Sequence, residues 1–191
     1  MQTNMLLIFI GLLVSVSVSN AESQQVIDQF TMKDQGRWNC AKTIAVKTFQ
    51  VPGEFKGEKG PEYYQNDFAG KLASGLKRIP GIEKVDIVDE KTIPSADILI
   101  EGKFIDLTTG SRALRFWVGF GAGKSFCRVD MKGIDAKSGT EVFTLDHARG
   151  SAMDFASDDE LIENIDEVVE DVTAGLKAAR MSCEPVPAEE K

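Results

Sequence analysis

The sequence predicts an α/β domain of the α+β sandwich kind: a mixed sheet of about five strands, ordered β-α-β-β-β-β-α along the chain, with two helices packed on the sheet. Three observations carry this. Stretches 97–107, 124–131 and 140–145 are short runs of branched and aromatic residues, the composition that pleated strands favour. Stretches 68–79 and 161–176 repeat apolar residues at spacings of three and four, the period of a helix with one buried face. Between the last two strand runs, Asp135 can bond forward to the backbone and Gly139 can take positive φ, so 135–140 reads as a tight hairpin turn and the three strands as an antiparallel meander.

At the amino end, residues 5–14 form a continuous apolar run, followed by small and polar residues to Ala21. Ser19 and Ala21 suit the two small-residue subsites of a signal peptidase, so 1–21 reads as a signal peptide cleaved after Ala21. A retained anchor is the competing reading. A spanning helix needs about 20 mainly apolar residues, and here the run gives way to serines, so no stable membrane span is expected after signal removal. The sequence near Ala21 has no cysteine for lipid attachment. Residues 22–39 are polar, with Gly36, Arg37 and Trp38 as their one distinctive feature, and read as a flexible, loosely docked segment. A single α/β domain is expected over 40–182, and 183–191, rich in Pro and Glu, as a disordered tail.

Within the domain, 43–49 is a nearly unbroken apolar run, which predicts an interior strand. The Gly- and Pro-rich stretch 51–61 predicts a surface loop. Asn66 or Asp67 is a candidate cap for a helix whose apolar residues are Phe68, Leu72, Leu76 and Ile79, ended by Pro80 and Gly81. Residues 83–89 predict a short strand. Strand, helix and strand at this spacing predict a crossover, with the two strands parallel neighbours or separated by one strand. After the meander, Ser157 and Glu160 form a capping box for a long helix. Its stripe is Leu161, Ile165, Val168, Val172 and Leu176, and Glu163, Asp166, Glu167, Glu170 and Asp171 are read as a solvated outer face rather than a metal site.

The net charge of −8 argues against nucleic acid as a partner, because a polyanion is bound by clustered Lys and Arg and here the basic residues are scattered. Of the three cysteines, Cys127 alternates with Val129 and Met131 on the buried face of a strand, whereas Cys40 precedes the first strand and Cys183 follows the last helix. In an oxidising compartment this favours a Cys40–Cys183 disulfide with Cys127 as a small buried hydrophobe; three unpaired thiols are the alternative.

No catalytic, cofactor or metal motif stands out, so no catalytic residue, cofactor or metal ligand is expected. The single histidine, His147, adjoins Asp146, but neighbours on a strand point to opposite faces and no nucleophile motif frames the pair. Residues 119–123 are glycine-rich but lead into a strand, where a dinucleotide loop would open a helix. The connection just before them places Arg112, Arg115, Phe116, Trp117 and Phe120 together, residue types in which binding surfaces are enriched. These five residues are the candidate partner-binding surface. The competing reading folds Trp117 and Phe120 back over the end of the sheet.

Four stretches, Ala96-Asp-Ile-Leu-Ile-Glu-Gly-Lys-Phe104, Gly110-Ser-Arg-Ala-Leu-Arg115, Val118-Gly-Phe-Gly-Ala-Gly-Lys124 and Asp135-Ala-Lys-Ser-Gly-Thr-Glu-Val-Phe143, resemble in order and spacing a bacterial envelope family catalogued as domain of unknown function 4410. The resemblance spans roughly residues 40–179. It implies an exported protein with an α/β domain similar to those of the curli secretion lipoprotein, the penicillin-binding-protein activators and the amino-terminal domain of TolB, and it brings no catalytic residues. The expectation is therefore a periplasmic or secreted, non-catalytic binding or accessory protein with an envelope protein as partner. A subunit of a secretion assembly is the alternative, and a hydrolase with a dispersed site a further one.

Overall fold

The computed structural model describes residues 27–51, 53, 55, 59–92, 94–110, 124–151 and 157–183. Six strands form one sheet: β1 (Gln29–Met32), β2 (Thr43–Lys47), β3 (Lys84–Val88), β4 (Ile98–Thr108), β5 (Phe126–Asp135) and β6 (Glu141–Gly150), in the order β1-β6-β5-β4-β2-β3. Three helices accompany it among the described residues: α1 (Gln35–Cys40), α2 (Pro61–Leu76) and α3 (Asp158–Ala178). The architecture is the α+β sandwich that the sequence predicts, with one more strand and one more helix.

The meander β4-β5-β6 is antiparallel, and the crossover from β2 through α2 to β3 makes those two strands parallel neighbours. β2 is interior, flanked by β3 and β4, as its unbroken apolar run requires. In the β5–β6 turn, Asp135 Oδ1 accepts the Lys137 and Ser138 amides and Gly139 takes φ 75°, a value open to glycine at no steric cost.

Helices α2 and α3 cover one face of the sheet. Phe68, Leu72 and Leu76 from α2 and the whole α3 stripe meet Ile44, Val46, Ile98, Ile100, Val129 and Met131 in a single core. Ser157 caps α3 by accepting the Glu160 amide, and Asp158, Asp159 and Glu160 sit at the positive end of the helix dipole.

Two expectations need correction. The segment read as flexible over 22–39 is ordered structure across its described part. Gln29–Met32 pairs antiparallel with β6, Asp34 caps α1 by accepting the Arg37 amide, and Trp38 is fully buried. Helix α2 begins at Pro61 rather than after Asn66 or Asp67. Proline at the first helical position lacks only an amide that would be unpaired there anyway, and Tyr64, four residues before Phe68, extends the buried stripe by a turn.

The junction of β2 and β4 is fastened by Asp97, whose Oδ2 accepts the Lys42 and Thr43 amides and the Thr43 hydroxyl at 2.9 to 3.0 Å. Burial alone would raise this carboxyl, but those three donors and nearby Arg37 outweigh it and hold it below the usual range. A depressed carboxyl stabilises the fold above the ordinary aspartate value of about 4 and loses that contribution as pH falls through its own lower value. Asp97→Asn is therefore expected to lower stability at pH 7 and to flatten the loss of stability on acidification. Urea denaturation midpoints measured against pH test this, and an unchanged acid slope in the variant would refute it.

Candidate functional site

The five predicted partner-binding residues, Arg112, Arg115, Phe116, Trp117 and Phe120, lie outside the described residues, as do 1–21 and 184–191. What is described is the pair of strand ends that this stretch connects. β4 and β5 pair, past a register shift between Phe104 and Asp106, to Thr108 opposite Phe126. Beyond this last rung the Gly110 amide donates to Thr108 Oγ1, Gly110 takes φ 78°, and the Ser125 hydroxyl donates to the Thr108 carbonyl. Residues 111–123 connect β4 to β5 in the chain.

The face of the sheet opposite the helices bears charged and polar side chains, because alternate residues of β4, β5 and β6 point there. Glu101 receives Lys47 at 3.1 Å and Lys132 at 3.2 Å. Burial works to raise its carboxyl, and the two ammonium groups outweigh burial and hold it low. Arg128 grips Asp146 with Nε 3.0 Å from Oδ1 and Nη2 3.1 Å from Oδ2. Glu101 and its two lysines line an open groove of about 690 Å³, together with Lys103, Asp130 and Thr144. Such a face of cross-strand ion pairs is a solvated surface suited to polar contacts.

His147 lies on the other face, 2% exposed. As strand alternation requires, Asp146 does not orient it. Asp171 of α3 does, with Oδ2 2.9 Å from Nε2, and Asp28 approaches Nδ1 at 3.1 Å. Asp171, read from sequence as outward-facing, turns inward and also holds Arg149. These partners stand 119 and 24 residues from His147 in the chain, so no local motif announces them.

At the end of the domain where α1 meets the tail of α3, Cys40 and Cys183 are joined as a disulfide, with Cα atoms 4.8 Å apart and 143 residues between them in sequence. Cys127 is free and buried, and burial, with Asp106 adding, pushes its thiol well above the ordinary value, so it is inert as a nucleophile. Near the other end, the buried Tyr64 hydroxyl donates to Asp158 at 2.5 Å. Burial first, then this bond, drives the phenol far above its usual range. Among the described residues, no group of three or more His, Cys, Asp and Glu side chains is arranged to hold a metal ion, and no helix is long and apolar enough to cross a membrane.

Comparison with known proteins adds the following. A family model described as Domain of unknown function (DUF4410) matches residues 44–154. The PelC dodecamer from Paraburkholderia phytofirmans superposes with a TM-score of 0.51 at 16% identity, over 75% of this chain and 94% of that one. A variant of the same dodecamer gives 0.50 at 16% identity, over 76% and 96%. A Xanthomonas campestris protein assigned to the family described as DUF330 gives 0.47 at 8% identity, over 72% and 84%. At these identities the PelC likeness is one of fold. No curated protein matches.

Proposed function

The chain belongs to the family described as Domain of unknown function (DUF4410), and on that premise we propose that it is an exported, non-catalytic binding or accessory protein of the bacterial cell envelope. The observation that carries the reading is the Cys40–Cys183 disulfide in a chain that starts with a signal-like apolar run, since such bonds persist in oxidising compartments outside the cytoplasm. The titratable groups support the non-catalytic part. Arg128 with Asp146 joins β5 to β6 and Tyr64 with Asp158 joins α2 to α3, so these pairs fasten one element to another.

The working surface in this reading is Arg112, Arg115, Phe116, Trp117 and Phe120, on the evidence of their composition. Arg and Trp supply planar charged contacts and large apolar area at small entropic cost. The test uses protein recovered from an osmotic-shock fraction, with its amino terminus at Glu22, as bait for envelope proteins. Trp117→Ala is expected to leave the melting temperature nearly unmoved and to abolish capture. A large loss of stability with capture retained, or recovery of the uncleaved chain in the membrane pellet, would refute the proposal.

A second reading, a self-assembling subunit of an envelope secretion complex, is favoured by the fold shared with a dodecamer. Light scattering on the size-exclusion peak separates the two, since a ring supports the second and a monomer the first.

A further inference from the structure

The last turn of α3 and the residues after it set Lys177, Arg180 and Met181 close to Cys183 in sequence, and the Cys40–Cys183 disulfide draws the end of α1 against them. Together with Lys42, Pro80 and Glu83 they line an open pocket of about 720 Å³, within the size range of small-ligand sites. It lies where β2 and β4 begin, since Lys42 precedes β2 and Ile44 pairs with Ile98. Residues 111–123 follow the other end of β4. The working surface proposed above makes no use of this pocket.

Charge sets it apart. In a chain of net charge −8, the groove on the open face and the hollow between α2 and α3 are each lined by more carboxylates than cations. Here the lining carries Lys42, Lys177 and Arg180 against Glu83 alone. Lys42 is paired with Glu83 at 2.9 Å, which leaves Lys177 and Arg180 without a carboxylate among the described residues. A cation in the last turn of a helix has an ordinary use at the negative end of the dipole, and that explains Lys177 alone. The Arg180 guanidinium lies over the Trp38 ring and against Gly81, and gives one N–H from each Nη to the Trp38 and Ala41 carbonyls. Those acceptors are neutral, so the charge, partly drawn out of water, stays uncompensated, and further N–H groups of the planar fork are left for a ligand.

We propose that this pocket captures the carboxylate end of an apolar peptide. Arg180 supplies the planar fork that matches a carboxylate, and Lys177 adds a second charge. Pro80, the disulfide and Met181, itself 61% exposed, form apolar walls. Backbone donors stand beside them: residues 181–183 lie outside helix and strand, and the Ser182 and Cys183 amides make no hydrogen bond among the described residues. A bare anion would use the charges alone, and a fatty acid the charges and the walls. A peptide terminus uses these and the backbone amides as well, a recognised mode of carboxylate capture.

The test titrates acetyl-Val-Leu with a free carboxylate into the mature, oxidised protein at low salt and follows the backbone amide chemical shifts. Saturable shifts are expected, confined to the amides of Asn39, Lys42, Gly81 and residues 181–183. The carboxamide form of the same dipeptide should bind at least about tenfold more weakly, because the charge-assisted hydrogen bonds are lost. Acetate lacks the apolar body and hexanoate the peptide groups, and each should bind severalfold more weakly than the dipeptide. In Lys177→Gln, a change at an exposed side chain, affinity should fall about twofold to fivefold, the worth of one exposed charge contact. Added salt should weaken binding to the wild type. No saturable binding, shifts centred elsewhere, equal binding of acid and amide, acetate or hexanoate binding as well as the dipeptide, or an unchanged affinity in Lys177→Gln would each overturn the site.

Discussion

Trp38→Ala is expected to destabilise the domain by about 3 to 5 kcal/mol, the range for removing a large aromatic side chain from a packed core. Trp38 is fully buried although it sits in a six-residue helix outside the sheet. Its ring meets Phe143 edge-on at 5.5 Å, its indole N–H donates to the Leu176 carbonyl at 3.2 Å, and the Arg180 guanidinium lies 5.5 Å above it. Alanine would leave a cavity between β6 and the last turn of α3 and strip that carbonyl of its donor. Trp38→Phe keeps most of the apolar area and loses the donor, so it should cost about 1 to 3 kcal/mol. Guanidinium denaturation of the two variants separates packing from hydrogen bonding. A loss below about 1 kcal/mol for alanine would mean that α1 is not part of the core.

Trp38 also marks where sequence reading runs out. The long elements were legible because their periods are strong. Leu161, Ile165, Val168, Val172 and Leu176 admit one face only, and the alternation of Cys127, Val129 and Met131 correctly sets the inner face of β5. β1 was missed because four residues with only Phe30 and Met32 partly inward do not make a pattern, and their pairing partner lies more than a hundred residues away. α1 was missed because its one buried side chain stands among polar neighbours; the local sign was Asp34, three residues before the amide it caps. The start of α2 was hidden by Gly60 and Pro61, which read equally well as the end of a loop. The site divides in the same way. The cysteine pairing follows from which elements flank Cys40 and Cys183, whereas the carboxylates around His147 come from both ends of the chain and depend on the tertiary fold. Asp171 in particular lies beside the α3 stripe, on the border where helical periodicity does not say whether a side chain turns in or out.

Removing the disulfide is the change with the second-largest expected effect. The Cys40→Ser, Cys183→Ser double variant should lose about 2 to 5 kcal/mol, because the bond closes a loop of nearly the whole domain and that constraint bears on the unfolded chain. The folded ends have other fastenings. Gln35 Nε2 donates to the Ala179 carbonyl at 2.7 Å, Arg180 donates to the Trp38 and Ala41 carbonyls at 2.7 and 2.6 Å, and the Met181 amide donates to Asn39 Oδ1 at 3.0 Å. Burial lowers the Arg180 pKa, the mark of a charge drawn out of water, and its two carbonyl acceptors remain in the variant. The native junction of α1 and α3 should therefore persist without the bond. An effect located in the unfolded state has its own signature: the denaturation midpoint falls while the dependence on denaturant steepens, since a chain released from its cross-link exposes more surface when it unfolds. Thiol labelling completes the test. The oxidised wild type should show no reactive thiol when native and one, Cys127, when denatured. Three reactive thiols in exported protein, or a loss of stability under about 1 kcal/mol with an unchanged slope, would show that the bond neither forms nor constrains the chain, and would remove the main support for an oxidising compartment.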